Sequence, residues 1–280
     1  MSLADRPLVA FRSLVAAFTL LTVSSSLPAL AAPCGGNFAN WLADFREEAA
    51  SQGISPRALA ALDGLTYDAA VVAKDRRQGH FRLSFEEFSR RMVPPYRIKK
   101  GATLMRRYGP LLDRIEQRYG VPAPVIVAIW GLETDFGGNM GHIPAIRSIA
   151  SLAFDCRRSD MFRAQLIDAL RVVDRGDLAP SQMRGAWAGE MGQTQFMASS
   201  YYKFAVDFDG DGRRDLIRSV PDVLASTANY LRSYGWQRGG SWEPGSANAA
   251  VLREWNKAEV YSRTVGYFAS RLQSSRAASN

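Results

Sequence analysis

The sequence lacks several things, and each absence narrows the reading. It has no block of five or six consecutive basic residues, although Lys and Arg number 35 against 27 Asp and Glu, for a net charge of +8 and a pI near 9.7. That argues against a dedicated nucleic-acid arm. What remains is diffuse steering toward an acidic partner, which nucleic acid, anionic lipid or an anionic polymer would satisfy. Alternating polar–apolar stretches are nearly absent, which argues against a β architecture. No internal repeat is visible. Past the N-terminal segment, no stretch is apolar enough to cross a membrane. Only two cysteines occur, Cys34 and Cys156.

The N-terminal segment reads as a leader. Arg6 and Arg12 precede an apolar run from Leu14 to Val23, and "PALAAPC" places Ala29 and Ala31 where a signal peptidase needs small residues. The run is too short for a permanent anchor, and Pro33 stands where a lipobox before Cys34 needs a small residue. Residues 1–32 are expected to be a signal peptide, giving an exported, periplasmic chain without a lipid anchor. In an oxidising compartment Cys34 and Cys156 are expected to pair, the alternative being two free thiols. The bridge would tie the mature N-terminus to the middle of the chain.

What is present is helical spacing over a globular composition, 47% apolar and 22% charged. In "FANWLADFREEAASQGIS" Phe38, Trp41, Leu42 and Phe45 recur at i, i+3, i+4 and i+7. Ser55 and Pro56 open a second helix as N-cap and first helical residue. Gly109-Pro110 bends or restarts the helix in "TLMRRYGPLLDRIEQRYG". "MFRAQLIDALRVVDRG" and "SVPDVLASTANYLRSYGW" are also amphipathic. A Gly/Ser-rich loop from 238 to 249 precedes a last helix, expected over roughly 250–272. The fold is read as mainly α.

One carboxylate stands out. In "AIWGLETDFGGNMG", Pro122 and Pro124 suit a helix start, and Ile126, Ile129, Trp130 and Glu133 share one face. Asp135 points about 200° away, at about 100° per residue, and Gly137-Gly138 is expected to end the helix. A carboxyl beside Trp and Ile loses solvation, which favours its protonated form and suits a general acid. From this helix alone, a Glu that snorkels or pairs with a buried Arg explains the residue equally well. Downstream, glycines at 185, 189 and 192 permit close backbone approach. The amides and aromatic of Gln193, Gln195 and Phe196 follow, a set typical of sugar sites.

These motifs, taken in order, resemble the lytic murein transglycosylases of the membrane-bound B type, with their lysozyme-like catalytic core. They are Trp130-Gly131-Leu132-Glu133 with Phe136-Gly137; Trp187-Ala188-Gly189 through Gln195-Phe196-Met197; and Ala205-Val206-Asp207-Phe208 through Asp211-Gly212. Ala228-Asn229-Tyr230, then Trp255-Asn256 with Tyr261, complete the series. The resemblance covers residues 33–275 almost end to end, with a core over about 101–236 and a tail over 276–280. It implies additional helices around that core and an EF-hand-like loop at 207–222. It makes Glu133 the sole catalytic acid/base. It makes Gln195, Phe196, Tyr230, Trp255, Asn256 and Tyr261 glycan contacts in the cleft, and places Arg157 and Arg158 near the sugar–peptide substituents. Two positions depart from the pattern: Ala186 stands where some members have a serine that hydrogen-bonds the catalytic Glu, and Trp255 where they have a tyrosine.

The resemblance also implies a course of reaction. Ordinary glycosidases flank the bond with two carboxyl groups, and only Asp135 and Glu190 are near Glu133 in sequence. Glu133 would protonate the oxygen between N-acetylmuramic acid and N-acetylglucosamine, then take the proton of the muramoyl C6 hydroxyl as that group attacks C1. A 1,6-anhydro end results and no water is consumed. The partner implied is the peptidoglycan glycan strand, with wall-remodelling proteins as further candidates and the enzyme a monomer. No nucleic acid is implied, and no cofactor for catalysis. Three alternatives stay open: a muramidase-type hydrolase, a non-catalytic murein-binding scaffold and a calcium-switched regulator.

"DFDGDGRRDLIR" has the spacing of a calcium loop. Asp207, Asp209 and Asp211 fall at positions 1, 3 and 5, Gly212 at 6, the Arg213 carbonyl at 7 and Asp215 at 9. Position 12 is Arg218, not Glu, and the family's longer loop would bring in Asp222 instead. Asp222 equally suits a capping box with Ser219, and the three aspartates equally suit a solvated turn. A structural calcium ion is the expectation.

Overall fold

The computed structural model describes residues 34–77 and 83–277. The proposed signal peptide at 1–32 and the last residues of the tail, 278–280, lie outside them. The described chain is mainly α. Its helices are α1 (Phe38–Ser51), α2 (Pro56–Leu59), α3 (Ala69–Arg76), α4 (Phe85–Met92), α5 (Pro95–Arg107), α6 (Gly109–Tyr119) and α7 (Ala123–Thr134). They continue with α8 (Ala145–Phe154), α9 (Ser159–Arg175), α10 (Ala198–Phe204), α11 (Val220–Ser233), α12 (Ala247–Trp255) and α13 (Glu259–Ala277). The two short strands β1 (Ile143–Pro144) and β2 (Arg184–Gly185) pair antiparallel. No described helix is long and apolar enough to cross a membrane.

Local chemistry sets most helix boundaries. Asn37, Ser55, Asp68, Ser84, Ser219 and Ser246 accept hydrogen bonds from backbone N–H groups at helix starts that would otherwise be unpaired. Gly109-Pro110 restarts the helix as expected: α5 stops at Arg107 and α6 begins at Gly109. Two boundaries differ from expectation. α7 ends at Thr134, before Gly137-Gly138, because Asp135 (φ 51°) and Phe136 (φ 62°) already turn left-handed. Asp tolerates that region, and here Arg97 and Lys100 pair with its carboxylate. The expected last helix is in fact two. Asn256 is extended (φ −146°, ψ 122°), its side chain accepts the Ala258 N–H, and the chain restarts as α13.

The centre of the fold is α7. Every residue in it is buried except Glu133, so it is a core helix apolar all round, not the one-faced amphipathic helix read from spacing. Helices α5, α6, α11 and α13 pack against it. A Cβ at Gly131 would lie 2.8 Å from the Phe136 ring and 2.9 Å from Phe268 of α13, so glycine is what lets α13 approach. At the periphery, the Cys34–Cys156 disulfide joins the segment before α1 to the turn after α8, with Cα atoms 5.1 Å apart.

Candidate active site

Glu133 sits in the last turn of α7 as that helix's one opening to solvent. Its Oε1 accepts two hydrogen bonds, from Tyr261 Oη at 2.5 Å and from the Trp255 indole Nε1 at 2.8 Å. The break at Asn256 makes this convergence possible. It leaves Trp255 at the end of α12 and starts α13 so that Tyr261 falls in its first turn. Oε2 has no hydrogen-bond donor among the described residues, so it is the oxygen free to carry a proton toward a ligand.

Burial dominates the electrostatics here. Desolvation lifts the Glu133 pKa from 4.5 to about 7, the Tyr261 and Trp255 hydrogen bonds pull it down, and Glu190 pushes it up. Burial and the neighbouring Glu133 hold the Tyr261 hydroxyl well above its usual pKa, so it remains a donor. A carboxyl poised near neutrality can give a proton and take one back. The cavity of about 540 Å³ behind α13 does not include Glu133. What equips Glu133 for proton transfer is its two hydrogen bonds and its desolvation, not the size of a cavity.

An aromatic wall stands beside the glutamate. Phe196 packs on Trp255 with ring centroids 5.2 Å apart, and Trp255 meets Tyr230 edge-on at 4.8 Å. Tyr230 also packs on Phe204 and Tyr234, and its hydroxyl donates to the Glu254 carbonyl at 2.7 Å. Tyr230 thus aligns the end of α12 that carries Trp255. Gln195 (φ 52°) is partly exposed, and its amide donates to the carbonyls of Met140 and Gly192. Asn256 caps the turn into α13.

Other sequence-selected residues have different settings. Gln193, read with the sugar-site amides, is buried and acts as a strut. It accepts from Trp130 Nε1 at 2.9 Å and donates to the Ile217 carbonyl, and its own carbonyl accepts from Thr134 Oγ1. This tie between α7 and the 191–196 turn was not legible in the sequence. Arg157 and Arg158 both pair with the buried carboxylate of Asp75, so the structure gives them a bracing role beside the disulfide. Asp135 is held by Arg97 and Lys100, which keep its pKa low despite partial burial. Glu190 is different. Burial raises its pKa, the Ala188 N–H donates to it, and it is close enough to Glu133 to act on it electrostatically. Ala186, lacking a hydroxyl, offers Glu133 nothing. Its N–H donates to the Glu190 carbonyl, and Trp255 with Tyr261 supplies the donors at Glu133.

In the acidic loop, carboxylate oxygens of Asp207, Asp209 and Asp211 all lie within 4.8 Å of one another. Hard oxygen donors at that spacing fit a divalent cation such as calcium. The structure does not bring Asp215 and Asp222 to this cluster. Asp222 is fully buried, and its two oxygens accept the N–H groups of Phe208 and Asp215. Asp215 accepts from the backbone of Ile217 and Arg218 and pairs with the Arg218 guanidinium. Arg213 donates its N–H to Asp211. Ser219 accepts the Asp222 N–H, so the cap at α11 is formed on one side only.

A family model described as transglycosylase SLT domain matches residues 37–246. The membrane-bound lytic murein transglycosylase B of Escherichia coli (strain K12) is 37% identical over 153 residues, which is 54% of this chain and 42% of the relative. The match thus spans less than half the length of that curated relative. SltB3 from Pseudomonas aeruginosa, solved in complex with NAG-anhNAM-pentapeptide, superposes with a TM-score of 0.81 at 31% identity, over 85% of this chain and 80% of that one. The Escherichia coli lytic transglycosylase SLT35, solved in complex with calcium, shares the fold with a TM-score of 0.76 at 23% identity, over 90% of this chain and all of that one.

Proposed function

This chain belongs to the transglycosylase SLT domain family, and from that premise we propose that it is a lytic transglycosylase of peptidoglycan. Its reaction is non-hydrolytic cleavage of the β-1,4 bond between N-acetylmuramic acid and N-acetylglucosamine. The observation that carries this reading is the state of Glu133: a desolvated carboxyl with a pKa near 7, two donors on Oε1 and a free Oε2.

The residues divide the work as follows. Glu133 Oε2 gives its proton to the bridging oxygen as the C1–O bond breaks and positive charge develops on the muramoyl ring. The carboxylate left behind is stabilised by the Tyr261 hydroxyl and the Trp255 indole, donors already in place before charge appears. It then takes the proton of the C6 hydroxyl as that oxygen bonds to C1, closing the 1,6-anhydro ring and restoring the neutral acid. The attack is intramolecular and benefits from high effective molarity. Trp255, partly exposed, offers a flat apolar face to a sugar ring, held in place by the buried rings of Phe196 and Tyr230, with Gln195 and Asn256 as polar contacts. The positive charge suits the anionic wall polymer, and we place the enzyme in the periplasm. Asp207, Asp209 and Asp211 would hold a calcium ion, which would brace the segment between Phe196 and α11.

Digestion of purified murein tests the reading. Released muropeptides should be lighter than hydrolytic ones by one water and resist borohydride reduction. Reducible products carrying the added water would make the protein a muramidase, with Glu190 the first candidate for its base.

A further inference from the structure

Glu133 occupies the last turn of α7, and the chain just beyond it adopts an unfavourable conformation. Asp135 (φ 51°) and Phe136 (φ 62°) are consecutive left-handed residues, and neither is glycine. A side chain disfavours that region, a bulky one most of all. The turn nonetheless supplies the partners that hold the end of α7. The Asp135 N–H donates to the Gly131 carbonyl at 3.0 Å, the Phe136 N–H to the Trp130 carbonyl at 3.2 Å and the Asn139 N–H to the Thr134 carbonyl at 2.8 Å. The last carbonyls of a helix need such partners from outside it. Relaxing Asp135 and Phe136 to right-handed geometry would rebuild the last turn of α7. It would also move the 137–141 segment, whose Met140 carbonyl accepts from Gln195 at 3.1 Å.

One face of α5 opposes that relaxation. Arg97, Lys100 and Gly101 stand at i, i+3 and i+4 and share that face. Arg97 Nε donates to Asp135 Oδ1 at 3.1 Å, and Lys100 Nζ donates to Oδ2 at 2.8 Å and to the Asp135 carbonyl at 2.9 Å. The Arg97 side chain is only 14% exposed, and its other nitrogens donate to the Met92 carbonyl and the Tyr96 hydroxyl, so it is itself fixed. Gly101 makes room for the Phe136 ring: a Cβ there would lie 3.3 Å from it. Trp130 meets the same ring edge-on, centroids 5.6 Å apart.

We propose that Arg97 and Lys100 are positioning residues: by clamping Asp135 they keep the left-handed turn formed, and the turn keeps Glu133 where Tyr261 and Trp255 reach its Oε1. The two donors come from α13 and α12, while Glu133 is on α7. A shift of the last turn of α7 by about 1 Å would therefore stretch both bonds out of their normal range. The effect on turnover rests on the lytic transglycosylase reading; the placement of Glu133 does not.

The test reads Glu133 through the Trp255 indole N–H, followed by NMR and assigned with Trp255→Phe. In the wild type that signal should move as Glu133 titrates near pH 7. Glu133→Gln should abolish the movement, which separates it from any titration of Glu190. In Arg97→Gln/Lys100→Gln the movement should shrink, and kcat on soluble glycan strands should fall about ten- to a hundredfold with KM little changed. Lys100→Gln alone keeps the buried arginine and covers the case in which the double variant does not fold; it should move both readouts the same way by less. Glycine adopts the left-handed turn without a clamp. Adding Asp135→Gly to the double variant should therefore restore the Trp255 movement and kcat, whereas Asp135→Ala, which also removes the charge, should not. Wild-type behaviour of Trp255 and kcat in the folded double variant, or in Lys100→Gln if that variant alone folds, would overturn the proposal. So would equal rescue by Ala and Gly. A wild type that does not turn over murein would contradict the lytic transglycosylase reading instead, and the Trp255 signal would then decide the clamp by itself.

Discussion

Replacing Glu133 with Gln should abolish turnover and at the same time change how stability depends on pH. The folded-state pKa of Glu133 is raised from 4.5 to about 7, so ionising it in the native protein is unfavourable. The sign follows from linkage: native Glu133 holds its proton more tightly than the unfolded chain does, so its contribution is fully present below pH 4.5 and is lost as pH rises through 7. At about 1.36 kcal/mol per pKa unit, a rise from 4.5 to about 7 puts the loss at about 3 kcal/mol at most. Gln keeps an oxygen for the Tyr261 and Trp255 donors and cannot ionise. Glu133→Gln should therefore match the wild type at pH 4 and exceed it by up to about 3 kcal/mol at pH 8. Each proton-transfer role is worth about 10²–10⁴-fold in rate, and both would be lost. Denaturant melts of the two proteins across that pH range, beside a turnover assay on murein, measure both effects. A stability difference that does not change with pH would refute the desolvated carboxyl. Appreciable turnover by the folded variant would refute its role.

Tyr261→Phe removes one of the two interactions that lower the Glu133 pKa. The alkaline limb of kcat/KM should then move up by about one pH unit, since a hydrogen bond to a charged group is worth about 1.5–3 kcal/mol; an unmoved limb would show that the hydroxyl does not act on Glu133. Cys156→Ser opens a crosslink between residues 122 apart. The unfolded-chain entropy model puts the loss near 5 kcal/mol, and an unchanged melting midpoint under non-reducing conditions would contradict it. Removing calcium with a chelator should lower the melting temperature while the products stay the same, because an ion bound only by the folded loop stabilises by mass action. Asp207→Asn should mimic that loss, and insensitivity of both would count against a stabilising ion.

The helices were legible because their signals are local. Ser55-Pro56, Gly109-Pro110 and the Pro122 start all act within one or two turns, and the structure agrees at each, whereas apolar spacing in α7 marked a helix without showing that it is buried all round. Glu133 was legible for the same reason, as the polar exception on an apolar helix. What was missed depends on partners distant in the chain. Arg157 and Arg158 meet Asp75 some eighty residues upstream, and nothing around them predicts a buried carboxylate there. Gln193 has the composition of a sugar-site amide, and only its 63-residue reach back to Trp130 shows it to be a strut. Asp222 was weighed as a metal ligand or a cap, yet it does something else, holding the backbones of Phe208 and Asp215 at the base of the acidic loop. The break at Asn256 was missed because it depends on one side chain capping the N–H two residues on. That break is what delivers Trp255 and Tyr261 to the same oxygen.

The central claim is that the nucleophile belongs to the substrate and not to the solvent. Digesting murein in water enriched in heavy oxygen tests it at the bond itself. No heavy oxygen should enter the newly formed muramoyl ends at any stage of the digestion. One heavy oxygen at C1 for each bond cleaved, appearing with the first products, would show that water attacks and would contradict the account.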